Sequence, residues 1–391
     1  MPMSRLRSPR RSIVIACALL TVSAGGARAQ DPPVPPSAAT PTRDGAARSV
    51  ETDAGPRPAS DAELVTAIEA FVAPLVSTDE FSGVVLVARG DKPIFLKAYG
   101  LADRGLAVPN RTDTKFNLGS INKLFTEIAV GQLLDEGKLA LTDPIGKFLP
   151  DYPNREAAAK VTVQHLLEMT SGIGDFFGER FRATPNHRLR GNADYLPLFA
   201  DQPLEFPPGT SNRYSNGGFV VLGLIIGKAS GQDYYDYVRE HIFRPLGMTD
   251  TDSYDADSVV PNLASGYARP EADGPLRSNI YTRPARGSSA GGGYSTAEDM
   301  LRFSLALQRG ELLKPETVRA VFGEMWPKAP SKELLSGRIS GGWAGGAPGI
   351  NAFLEVDARA GTTVVALANL SPPAAGRVAR RIRTWLQPPP Q

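Results

Sequence analysis

Apolar and polar positions run along this chain with two different periods. Leu64, Ile68, Phe71 and Leu75 recur at helical spacing behind Asp61, which predicts an amphipathic helix capped by that aspartate. Two short apolar runs follow, residues 83–88 and 93–98, joined by Arg89-Gly90-Asp91-Lys92. A glycine-containing turn between such runs predicts a hairpin of antiparallel strands. From Ser120 to Glu136 the spacing is helical again, and most of the chain from there to about residue 280 predicts helices broken by Pro and Gly. Residues 350–357 and 361–369 predict a second pair of strands, and residues 374–386 a closing basic amphipathic helix. Strands at both ends with helices between them predict an α/β (α+β) fold. Its antiparallel sheet is assembled from both termini and flanked by helices, within one domain over residues 61–391 that holds an all-helical subdomain at roughly 130–285.

Ahead of that domain the pattern changes. Arg5, Arg7, Arg10 and Arg11 precede an apolar stretch over residues 13–22 and the small-residue site Ala27-Arg28-Ala29, which predicts a signal peptide over residues 1–29 and an exported protein, periplasmic or secreted. The apolar stretch is far shorter than the roughly 20 residues a membrane-spanning helix needs, so no span is expected. Residues 30–60 are rich in Pro, Ala, Ser and Thr with few large apolar side chains, the composition of a disordered linker. The one cysteine, Cys17, lies in the signal; lipid anchoring there would leave only a short apolar run before the cut. The mature chain then has no thiol, which excludes disulfides, a cysteine nucleophile and cysteine-bound metal together.

Charge excludes another class. With 43 basic and 41 acidic residues and a net charge of +2, no basic stripe with interleaved aromatics exists, so no nucleic acid partner is expected. His165, His187 and His241 stand singly without metal-ligand spacing, and neither a Walker loop nor a dinucleotide fingerprint occurs, so no metal or cofactor is implied.

The candidate chemistry lies in three segments. Ser120-Ile-Asn-Lys123 follows the loop Asn117-Leu118-Gly119 and opens a strong helix. A serine there sits among unsatisfied N–H groups that favour developing negative charge. Lys123, three residues on, shares its helical face. A capping serine beside a solvated lysine would leave the same local pattern, so the second segment matters. Tyr214-Ser215-Asn216 precedes the apolar helix at residues 219–226 and can project the tyrosine into a cleft. A phenol is a useful base at neutral pH only if something favours the phenolate; an ammonium about 4 Å away supplies up to roughly 4 kcal/mol at an effective dielectric of 20. Whether the phenol or the amine takes the serine proton stays open, because such a pair titrates as a unit. The third segment is Gly341-Gly342-Trp343-Ala344-Gly345-Gly346-Ala347-Pro348-Gly349, just ahead of the strand at residue 350. Glycines there mark close approach of another backbone or a ligand, with the Ser120 and Gly346 N–H groups as a candidate oxyanion hole. Gly287-Ser288-Ser289-Ala290-Gly291 matches a nucleophile elbow, but no histidine follows His241, so the loop is expected to have no catalytic duty.

In this order the three segments resemble the serine β-lactamase-like superfamily: class C β-lactamases, D-alanyl-D-alanine carboxypeptidases and family VIII carboxylesterases. Thr162-Val163-Gln164-His165-Leu166-Leu167 with Thr170-Ser171-Gly172, and Arg244-Pro245-Leu246-Gly247-Met248, are similar as well. The resemblance covers roughly residues 61–386. It implies a β-lactamase/transpeptidase-like fold with the site between the sheet and the helical region. The implied roles are Ser120 as nucleophile, Lys123 and Tyr214 as proton carriers, Asn216 orienting Lys123 and the substrate, and Trp343, Gly345 and Gly346 along the substrate. In β-lactamases and peptidases of this group the third motif begins with Lys or His, which can bind a substrate carboxylate; here Trp343 stands there, uncharged. That resembles the family VIII esterases and implies a neutral ester of modest size, with no cofactor. Arg283 or Arg286 could restore a positive group and with it the β-lactamase or D-alanyl peptidase alternative. An idle relative that holds cell-wall fragments or β-lactams is the alternative from another class.

Overall fold

The computed structural model describes residues 57–271, 274–322 and 339–387. The expected signal peptide and cleavage site, Cys17 and nearly all of the expected linker lie outside the described residues. The first helix, α1 (Asp61–Ser77), is capped by Ser60 rather than Asp61. Ser60 Oγ accepts from Glu63 N at 3.2 Å while Glu63 returns a carboxylate oxygen to Ala59 N at 2.8 Å. Asp61 instead occupies the first turn, where a negative charge meets the positive helix end, and pairs with Arg89 at 2.9 Å.

Strands β1 (Gly83–Arg89) and β2 (Lys92–Tyr99) form the expected hairpin. The chain then passes through a single 3₁₀ turn, Gly119–Asn122, into helix α2 (Lys123–Asp135). Short helical segments lead to α3 (Asn216–Ser230), which ends where Gly231 turns left-handed at φ 75°. The helical run ends at Phe243, not near residue 280. Between there and α4 (Ala297–Arg309) the described backbone is irregular, with three two-residue strands among the described residues, because Pro245, Pro261, Pro275 and Pro284 keep breaking any helical repeat.

Strands β3 (Gly341–Ala347), β4 (Ile350–Asp357) and β5 (Thr362–Ala368) complete the sheet, and α5 (Ala374–Leu386) closes the described chain. The sheet order is β2-β1-β5-β4-β3, every pair antiparallel, with Gly83 opposite Ala368 and Asn351 opposite Ala368 on the other side. The sheet is therefore assembled from both ends of the chain.

Strand alternation divides the core in two. Val84, Leu86, Leu354, Val365 and Leu367 face α2, α3 and α4, while Val85, Val87, Phe353, Val364 and Ala366 face α1 and α5. A sheet covered on both faces needs continuous apolar strands, and β1 is buried from Gly83 through Ala88. Among the described residues no helix is long and apolar enough to cross a membrane.

Candidate active site

The turn that carries Ser120 is held by packing on three sides. Phe116 and Asn117 pair with Ser295 and Tyr294 in a short antiparallel ladder. Leu118 N donates to Gly293 O at 2.8 Å, and Gly119 N donates to the Asn117 side chain at 2.9 Å. Gly119 is left-handed at φ 51°, and a Cβ there would lie 2.9 Å from the Gly346 amide nitrogen. Gly345 answers from β3: a Cβ on it would sit 1.9 Å from Leu118 O and 2.8 Å from Ser120 N. Strand β3 can lie against the serine turn only because both positions lack side chains. The Gly346 and Ser120 amides thus belong to two backbones in close contact, as an oxyanion hole requires.

Two side chains converge on the Ser120 hydroxyl. Tyr214 Oη donates to Ser120 Oγ at 2.7 Å, and Lys123 Nζ donates to the same oxygen at 3.3 Å. Lys123 is 5% exposed although it is a lysine, and its ammonium also donates to Asn216 Oδ1 at 2.7 Å and to the Ala290 carbonyl. Three protons therefore have three acceptors, which offsets the cost of burying the charge. The ammonium also lies 4.7 Å from the centroid of the Tyr214 ring and 5.4 Å from that of Phe219. Tyr214 is 41% exposed, so the hydroxyl pair opens to solvent on the tyrosine side.

Local sequence explains these placements. Lys123 begins α2 one turn after Ser120, so both lean toward the same end of the helix. Ser215 caps α3 by accepting from Gly218 N at 2.9 Å, which puts Tyr214 just outside the helix and Asn216 just inside it. Arg213 N donates to Met169 O at 2.9 Å and fixes the approach of that loop.

All four candidate polar residues, Ser120, Lys123, Tyr214 and Asn216, are thus joined by hydrogen bonds. Trp343 shares the β3 face of Gly345 by strand alternation, and it is partly buried against the core. The two loop arginines are engaged elsewhere. Arg286 donates to Ser253 O at 2.7 Å and stacks 3.6 Å from the Tyr235 ring centroid, and Arg283 donates to Tyr294 Oη at 2.5 Å.

Two participants escape sequence reasoning. The Gly287 to Gly291 loop has no nucleophile, since Ser289 is fully buried and its hydroxyl donates to Phe219 O at 2.7 Å. Yet the same loop supplies the Ala290 carbonyl to Lys123, a part that a residue's identity does not announce. Asp175 is the other: its Oδ2 accepts from Asn216 Nδ2 at 2.7 Å. Its one sequence signal is a carboxylate set between the apolar residues Ile173 and Phe176, three positions after Gly172. Among the described residues no cluster of His, Cys, Asp and Glu could hold a metal ion.

The Beta-lactamase family model matches residues 64–387. Penicillin-binding protein 4* of Bacillus subtilis is 30% identical over 298 residues, which cover 68% of this chain and 64% of that protein. Esterase EstB of Burkholderia gladioli is 30% identical over 269 residues, covering 60% of this chain and 67% of the esterase. The chain thus spans less than two thirds of the Bacillus subtilis relative. Among solved structures, a penicillin binding protein from Bacillus halodurans superimposes with a TM-score of 0.70 at 32% identity, covering 80% of this chain and 98% of that one.

Proposed function

The chain belongs to the β-lactamase family of serine hydrolases, and on that footing we propose that it is an exported carboxylesterase that acylates Ser120 with neutral esters of modest size. The observation that carries the chemistry is the meeting of a phenol and an ammonium on one serine oxygen, at 2.7 and 3.3 Å. The Lys123/Tyr214 pair acts as a base when it carries one proton fewer than phenol plus ammonium, as phenolate beside ammonium or phenol beside amine. As Ser120 Oγ then attacks the ester carbonyl, its proton passes to that vacancy, and the developing oxyanion is held by the Ser120 and Gly346 N–H groups. Collapse breaks the bond to the leaving alkoxide, which takes the proton from the pair. Water then attacks the acyl-enzyme, gives up a proton to the same pair, and releases the acid with the serine hydroxyl restored.

Preference for a neutral substrate rests on charge. Trp343 offers an indole where an anion would need a cation, Arg283 and Arg286 are turned to other partners, and the exposed Asp175 carboxylate lies one hydrogen bond from Asn216. Among the described residues the cation at the serine is the Lys123 ammonium, whose donors are already taken by Ser120, Asn216 and the Ala290 carbonyl, so a carboxylate-bearing substrate would meet the Asp175 charge with little compensation. The relative named as an esterase fits this preference.

Incubation with a fluorophosphonate probe, p-nitrophenyl butyrate and a chromogenic cephalosporin tests the proposal. Ester turnover with labelling of Ser120 is expected. Cephalosporin turnover above ester turnover would move the assignment to a β-lactamase, and labelling without turnover of either would mark an idle binder. Ser120→Ala is expected to abolish ester hydrolysis and labelling with little change in melting temperature; near-wild-type hydrolysis would remove Ser120 from the mechanism.

A further inference from the structure

We propose that Asp175 is a positioning residue for the proton-carrying pair, acting by fixing which end of the Asn216 side chain faces Lys123. This rests on the serine hydrolase assignment and adds to it a residue that none of the three candidate motifs contains.

An asparagine amide has two ends of nearly equal shape and opposite hydrogen-bonding sense. Only its oxygen can accept from an ammonium; turned over, it would set an N–H donor against the Lys123 ammonium, donor facing donor. Asn216 Oδ1 is the end at Lys123 Nζ, at 2.7 Å. What holds it so is the other end. Asn216 Nδ2 donates to Asp175 Oδ2 at 2.7 Å, and an ionised carboxylate can only accept, so this bond exists in one orientation of the amide alone.

Asp175 is itself fixed. Its second oxygen accepts from Phe177 N at 3.0 Å, closing a local turn that sets the carboxylate's direction. A line of hydrogen bonds therefore runs from the Phe177 backbone through Asp175, Asn216 and Lys123 to the Ser120 oxygen. Asn216 is buried while Asp175 is exposed. Solvent screens the charge of Asp175, so its influence on Lys123 is chiefly geometric, through the amide.

The test is a cycle of Asp175→Asn, Asn216→Ala and the double variant, with Asp175→Glu as the conservative change. Each is assayed for the rate of Ser120 labelling by fluorophosphonate, for kcat and KM on p-nitrophenyl butyrate, and for melting temperature. An asparagine at 175 can offer either end and no longer dictates the Asn216 orientation. Labelling rate and kcat are expected to fall roughly tenfold to a hundredfold, the worth of one hydrogen bond to a charged group, with KM little changed. Melting temperature should stay near wild type and Asp175→Glu should recover part of the rate. In the Asn216→Ala background Asp175→Asn should cost nothing further, because its route to Lys123 is gone. Full effect in that background, wild-type rates for Asp175→Asn, or losses that track melting temperature without rescue by glutamate would each overturn the proposal. A wild-type protein that the probe does not label at Ser120 would instead overturn the hydrolase assignment itself.

Discussion

Glu127 is buried one helical turn beyond Lys123 on α2, at 6% exposure. Burial pushes the Glu127 carboxyl up to about 8, with the Lys123 ammonium pulling partly the other way. The unfolded chain releases this proton near 4.5, so between 4.5 and about 8 the folded state holds a proton that the unfolded state does not. Stability contributed at this position is therefore present at low pH and is lost as pH rises through that window, by about 1.4 kcal/mol per unit at most. Glu127→Gln keeps the shape and removes the titration. Melting curves at pH 4, 6 and 9 should show wild type and variant falling apart only at the higher values, with the variant the more stable at pH 9. Parallel curves would show that the carboxyl ionises in the fold without cost. Ser120, Lys123 and Tyr214 were legible in the sequence because each sits where a local pattern, a helix start or a capped loop, gives it a direction. Asp175 and the Ala290 carbonyl were not, since each acts on Lys123 across long separations and neither lies in a motif that names its partner.

At the scale of elements the site depends on β3 lying against the turn Gly119–Asn122. Gly345→Ala tests that contact, because the added methyl would overlap Leu118 O at 1.9 Å and crowd Ser120 N at 2.8 Å. β3 is an edge strand with one partner, so it can yield outward at small cost to the fold. A shift of about 1 Å between the Ser120 and Gly346 amides is expected to lower kcat/KM about 100-fold, with a much smaller change in melting temperature. Unchanged turnover in a folded variant would remove β3 from the oxyanion hole. The hairpin, the second strand pair and both terminal helices were readable from continuous apolar runs and helical spacing. β3 was read as a glycine-rich segment ahead of a strand, because glycine carries no strand preference and its pairing with β4 is a tertiary matter. The stretch from Arg244 to about residue 280 reads as helical in the sequence for a related reason. Buried polar side chains from elsewhere, and not a helical repeat, satisfy parts of its backbone, with Lys115 Nζ donating to Pro261 O at 3.2 Å and Asn369 Nδ2 donating to Ser265 O at 2.8 Å.

For the whole molecule, the sheet is sealed by its two ends. α1 and α5 pack together on the face opposite the site, where Trp385 meets Phe71 edge to face at 6.1 Å and Arg381 lies 5.0 Å from the indole. Gly83 pairs with Ala368, so β1 finds its inner neighbour only after nearly the whole domain exists. That the ends pair was foreseeable from two sets of buried strands; that β5 sits between β1 and β4 was not, because apolar runs carry no order. Trp385→Ala separates the two functions of the sheet, closing the core and presenting the site. Removing a large aromatic that is only 9% exposed costs about 3–5 kcal/mol and, at roughly 2–4 °C per kcal/mol, should lower the melting temperature by about 6–20 °C. The catalytic face is backed by a different cluster, α2 and α3 with Val84, Leu86 and Leu354, which the substitution leaves intact. Turnover per labelled Ser120 at 25 °C should therefore match wild type while calorimetry shows the early transition. A variant that melts normally but turns over slowly would mean that the two faces of the sheet are coupled, and that the terminal helices help to hold Ser120 in place.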